Sequence, residues 1–228
     1  VNADDFGLHT SVNEAVIKGF QEGCIRSASL MPTGSAVKEA ADLARKNPAL
    51  GIGIHLTLVA EKPLLAPEMV PTLVNEKGFF WPNHIEFIKR YITGRISLSE
   101  VRAECEAQIG AVMQLGLNIT HLDSHQHLHV LPGIFSLCLE LAQKYHIRHM
   151  RLPQEKAFFS GGFSAPWSRK IARDGLSACA FLAGSYWRCY GISLPDHFFG
   201  MLAGGHMTEK NFLAILTDLP EGISEIMV

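Results

Sequence analysis

Residues 118–152 read NITHLDSHQHLHVLPGIFSLCLELAQKYHIRHMRL. "NITHLDS" reads as a strand, "GIFSLCLELAQKY" as a helix and "IRHMRL" as a second strand. A strand, a helix and another strand in such quick succession form a βα unit, which implies a parallel sheet with helical crossovers. From within the first strand toward the helix runs a stretch with four histidines: His121, His125, His127 and His129. Asp123 stands among them.

The same alternation continues on both sides. Upstream, "SLSEVRAECEAQIGAVMQLG" has helical spacing, with Ser97 and Glu100 in capping-box positions and Gly116 at its end. "LGIGIHLTLV" reads as a strand carrying His55. "SAVKEAADLARK" places Val37, Ala40, Ala41 and Ala44 on one stripe. "CIRSASLMP" is β-like, and "SVNEAVIKGF" is a helix with Ser11 and Glu14 as a second capping box. "VNADD" reads as the end of a first strand. Downstream come a loop over 153–165, helices in "SRKIARDGLSACAFLAG" and "TEKNFLAILTDLP", and a closing strand in "ISEIMV". Residues 58 to about 96 break the rhythm. They are rich in Pro, Gly and aromatics and read as a long loop insertion that forms a lid or rim. The expected fold is therefore α/β: one domain over 1–228, a distorted TIM-like (β/α) barrel of about seven parallel strands. An open doubly wound sheet is the alternative. No G-x-G-x-x-G or G-x-x-x-x-G-K-[ST] loop supports a nucleotide site.

Composition narrows the partners. Of 228 residues, 47% are hydrophobic and 18% charged, enough apolar content for a large core. The net charge of −2, with no basic cluster interleaved with aromatics, sets nucleic acid aside. No apolar run reaches the ~18 residues that a membrane span needs. Five scattered cysteines without CxxC spacing point to reduced thiols and a cytoplasmic setting. Both ends read as strands cut in mid-course.

In a parallel α/β barrel, reactive groups gather at the C-terminal ends of the strands. Three polar clusters fall there. Asp4 and Asp5 follow the first strand, as a base and a metal ligand or merely as a turn. His55 lies on the third strand, as a ligand or a satisfied core histidine. The 121–129 run carries more imidazole than a core tolerates without partners. One Asp and two His around a divalent metal, with positions open for water and substrate, is a hydrolytic arrangement. Arg151 in "HMRLP" and His197 in "LPDHFFG" are further substrate-binding candidates, with a salt bridge or a cap as the competing role.

"VNADDFGL", "GIGIHLTL" and "THLDSHQHLH", in this order and spacing, resemble the YdjC-like carbohydrate deacetylases, and "PDHFFG" adds to the likeness. The resemblance implies a barrel related to the TIM fold and a divalent metal, usually magnesium. It implies hydrolysis of an N-acetyl group on an amino sugar or oligosaccharide. By motif, Asp5, His55 and His125 are the metal ligands and Asp4 is the general base. His127 and His129 match the family's histidine-rich loop and are taken as substrate-binding. Two imidazoles and one carboxylate also suit Zn²⁺. A homodimer is a further family expectation. So is a general-acid His in a His-Pro-Gly segment, which would follow Val228. The competing readings are a metal-dependent phosphoester or ester hydrolase, and a non-catalytic sugar binder with a vestigial site.

Overall fold

The computed structural model describes residues 1–156, 163–183 and 190–228. β1 (Asn2–Phe6), β2 (Ser27–Leu30), β3 (Gly51–Leu56), β4 (Ile119–Ser124) and β5 (His149–Met150) form one sheet in chain order, every neighbouring pair parallel. Parallel neighbours need crossovers, and helices supply them. α1 (Thr10–Gln21), α2 (Val37–Lys46) and α5 (Ile134–Lys144) each join two consecutive strands. The β3–β4 connection is longer and holds α3 (His84–Ile92) and α4 (Leu98–Gln114). After α6 (Trp167–Ala183), β6 (His197–Phe199) and β7 (Ser224–Ile226) pair in parallel around α7 (Glu209–Thr217). Two isolated parallel bridges pair Asn2 of β1 with Met227, just after β7, and His149 of β5 with Ser193, ahead of β6.

The helices sit on the sheet because each has an apolar stripe. In α2 the buried residues are Ala40, Ala41 and Ala44, the stripe that the sequence predicts. In α1, Val16 is buried, with Val12 and Phe20 packed beside it. α5 buries seven side chains, among them Ile134, Phe135, Leu139 and Leu141. Burying a Leu or Ile side chain stabilises by about 1.5–3 kcal/mol, so α5 is a main anchor of the fold. The strands carry a polar seam as well. Asn2, Ser29, His55, Asp123 and Arg151 are all buried.

Two expectations require correction. The predicted capping boxes do not form. α1 is capped by His9, whose ring accepts from the Ser11 amide. At α4, Ser97 is the N-cap without a side-chain bond, and Glu100 instead accepts from Thr72 N–H and Oγ1. The 58–96 insertion is also more ordered than a loop. It contains α3 and is tied to α4 by Glu104, which is fully buried and accepts from the amides of Leu64 and Leu65. A buried carboxylate is tolerated there because backbone donors satisfy it.

Four of the cysteines are free, with Cys105 and Cys138 buried. Cys189 and part of the 153–165 loop lie outside the described residues. Among the described residues, no helix is long and apolar enough to cross a membrane.

Candidate active site

Adjacent residues in a strand point to opposite faces, yet Asp4 and Asp5 line the same cavity. The reason is a break in β1. The β1–β2 register shifts between Ala3 and Phe6, and Asp5 takes a left-handed φ of 60°. An irregular strand end re-aims a side chain in this way, and Asp tolerates the conformation better than most residues.

His55 and His125 complete a triangle with Asp5. Asp5 Oδ1 lies 3.2 Å from His55 Nε2 and 2.8 Å from His125 Nδ1. One ligand atom from each of the three residues falls within 4.8 Å of the others. Burial pushes the Asp5 carboxyl up, but bonds with His125 and His55 hold it well below the usual carboxylate range. His55 is 1% exposed, which opposes its charge. Asp123, Asp5 and Asp4 outweigh that burial and raise the imidazole to about 10. The local field therefore calls for positive charge at this point.

Asp123 holds the other nitrogen of His55, with Nδ1 2.8 Å from Oδ1. A carboxylate behind a histidine fixes the tautomer and directs Nε2 at the ligand. Asp123 itself accepts from Ser29 Oγ at 2.7 Å and faces Arg151. Gly53 makes room for this seam, since a Cβ there would overlap the His121 ring.

Arg151 is wholly buried and is the hub of the cluster. Nη1 and Nη2 each donate to Asp4 at 2.7 Å, Nε donates to Glu225 at 2.7 Å, and Nη2 is 2.9 Å from Asp123. The sequence makes Arg151 a substrate-binding candidate, whereas here three carboxylates of the chain occupy its donors. Asp4, Asp123 and His55 also lie close enough to hold a cation, but the guanidinium already sits between those two carboxylates.

The donor set fits a divalent ion at Asp5, His55 and His125. Arg151 meets three carboxylates (Asp4, Asp123 and Glu225), while the fourth, Asp5, faces the imidazoles of His55 and His125 at the cavity. One carboxylate and two imidazoles are a common ligand set for a hydrolytic metal.

The other candidate histidines are placed differently. His129 is buried, with Nδ1 2.6 Å from Ser124 Oγ and Nε2 3.0 Å from the Arg151 carbonyl oxygen. Burial brings its pKa down to about 4. Both of its nitrogens thus serve the loop. His127 lines the cavity, packs edge-on to Phe198 and leaves Nδ1 buried without a partner among the described residues. His197 lies away from the cavity lining, its Nε2 3.0 Å from the Glu221 carbonyl oxygen. Sequence reasoning gives no role to Asp123 or Glu225. The parity of Asp123 with His121 was a usable signal; nothing local marks Glu225.

The cavity above this cluster has a volume of about 550 Å³. Asn83 and His84 of the insertion, Arg169 and Leu176 of α6, and the 201–205 loop form its walls.

The YdjC-like protein family model matches residues 1–228, and the chain belongs to that family. A carbohydrate deacetylase of Thermoanaerobacter pseudethanolicus is 33% identical over 230 residues, spanning 100% of this chain and 78% of the relative. A chitooligosaccharide deacetylase of Serratia marcescens is 38% identical over 162 residues, spanning 69% and 60%. Among solved structures, an Enterococcus faecalis protein provisionally described as a cellobiose-phosphate cleavage protein superposes with a TM-score of 0.76 at 28% identity. That match covers 99% of this chain and 77% of the other.

Proposed function

We propose that this chain is a metal-dependent hydrolase that removes the acetyl group from N-acetylated sugars or oligosaccharides. The observation that carries the reading is the convergence of Asp5, His55 and His125 on one point at the floor of a cavity, with Asp4 beside them. Family membership and the deacetylase names of the relatives support it. The scaffold is read as one distorted (β/α) barrel over residues 1–228. The Asn2–Met227 and His149–Ser193 bridges support this, since they pair the residue after β7 and a residue ahead of β6 with the two edge strands of the first sheet.

Asp5, His55 and His125 hold the ion, Mg²⁺ by family expectation or Zn²⁺ by ligand preference. When bound, a divalent ion acidifies water and polarises the acetamide carbonyl. The protein does the rest. Asp123 keeps His55 Nε2 free to bind. Asp4 removes the proton from the attacking water at a carboxylate oxygen. Arg151 grips both oxygens of Asp4 from behind, which holds that carboxylate toward the cavity. The walls exclude bulk water and orient the sugar.

The test is acetate release from diacetylchitobiose and N-acetylglucosamine by metal-free, Mg²⁺-loaded and Zn²⁺-loaded protein. Metal-dependent release is expected. Asp4→Asn should lower it by about 10²–10⁴ while metal still binds. No acetate with either ion, or near-normal turnover by Asp4→Asn, overturns the reading or the base assignment respectively.

A further inference from the structure

The turn after β4 is left-handed at two successive residues, Gln126 (φ 54°) and His127 (φ 58°), neither of them glycine. Such a pair persists only where its surroundings hold it. The holding contact comes from a distant segment. Gln126 Oε1 accepts the backbone N–H of His84 at 2.8 Å and lies 2.7 Å from His84 Nδ1. The orientation of the amide is unambiguous, because a backbone N–H only donates. His84 is the first residue of α3, so this bond also satisfies an amide that a helix start leaves unpaired. Gln126 Nε2, a donor only, lies 3.4 Å from His125 Nε2, while His125 Nδ1 meets Asp5, so the link to His125 runs through the shared turn rather than through an acceptor behind the ring. His125 therefore sits between Asp5 and Gln126, and Gln126 sits between His125 and the insertion. Asn83, His84, His125 and Gln126 all line the cavity.

We infer that Gln126 is a positioning residue that couples the seating of α3, and with it one wall of the substrate cavity, to ion binding at His125. The inference rests on the reading that Asp5, His55 and His125 hold a divalent ion. Coupling of this kind is reciprocal: what steadies the 125–127 turn steadies α3, and loosening α3 weakens the ion site.

The experiment uses the full chain with Zn²⁺ as probe. Calorimetry gives Kd, and hydrogen exchange follows the 83–92 segment with and without Zn²⁺. In the wild type, Zn²⁺ should slow exchange over 83–92. Gln126→Ala, which unties the 125–127 turn from α3, should bind Zn²⁺ about 5–150-fold more weakly, the usual range of a coupling between two sites. Its 83–92 exchange should no longer respond to Zn²⁺. Gln126→Glu keeps the acceptor for His84 and should restore the response. If Gln126→Ala does not fold, His84→Ala is read instead, with the same direction and a smaller effect. Wild-type Kd in Gln126→Ala, or an unchanged Zn²⁺ response over 83–92, overturns the coupling. Acetate release is scored on the same samples. A wild type that binds Zn²⁺ but releases no acetate with Zn²⁺ or with Mg²⁺ overturns the hydrolase reading alone, and the coupling then stands or falls on Kd and exchange. A wild type that binds neither Zn²⁺ nor Mg²⁺ overturns both.

Discussion

The ion-pair hub at Arg151 and the ligand triangle at Asp5 use the same kinds of residue to opposite ends. At the hub, one guanidinium meets Asp4, Asp123 and Glu225, and the cationic partner is 1% exposed. Its charges are satisfied within the chain. At the triangle, the Asp5 side chain is 30% exposed and that of His125 is 19% exposed. Its three residues line a cavity. The two regions meet at Asp4 and at His55. The difference teaches that a carboxylate–imidazole cluster becomes a candidate reaction centre where it opens to a cavity and to solvent. Where an arginine closes the same cluster, the result is a scaffold.

The sharpest way to break this contrast is to remove the hub. Arg151→Met leaves three carboxylates without their partner. It should cost about 3–5 kcal/mol of stability, the typical loss when one side of a buried ion pair is deleted. Urea denaturation measures it. A loss under about 1 kcal/mol would mean that the hub does not carry the fold.

Acid should come next. His129 is held neutral, with its pKa reduced from 6.5 to about 4 by burial. A lowered histidine contributes stability that is complete above the unfolded value and lost as pH falls through the folded value. The window is therefore about pH 6.5 down to 4, with a loss on the order of 3 kcal/mol from this residue. His55 is raised, so its contribution is already complete below 6.5 and adds no slope there. Denaturation series on wild type and His129→Gln should show a shallower acid slope in the variant. Parallel slopes would remove His129 from the account.

Asp123 belongs to both regions, so Asp123→Asn sharpens the comparison. Weakened orientation of His55 should reduce metal affinity by about 10–100-fold, read by calorimetry. Unchanged affinity would assign Asp123 to the hub alone. The smallest effect is expected at His197, which lies outside the cavity lining and bonds a backbone carbonyl. His197→Ala should leave KM for an N-acetyl sugar unchanged and shift stability by no more than about 0.5 kcal/mol. A clear rise in KM would return His197 to the substrate site.

Much of the fold was legible because periodicity is a local property. The α2 stripe, the α5 helix and the strands around His55 and Asp123 lie where the sequence pattern puts them. The capping boxes failed because Glu100 and Ser11 found other partners, a choice no local spacing reveals. The insertion was read as a loop because its order comes from elsewhere. Glu104 of α4 anchors it through contacts about 40 residues apart in the chain.

By itself, the sequence determined the strand–helix alternation, the apolar faces and the density of Asp and His at three strand ends. Those follow from residue type and spacing alone. Only the tertiary structure decided which of these residues face one another. The irregular end of β1 turns Asp4 and Asp5 to the same side. Parallel pairing of β3 with β4 sets His55 beside Asp123, and burial places Arg151 among three carboxylates. The strength of a charge depends on its distance from other charges and from water, and both are properties of the folded chain.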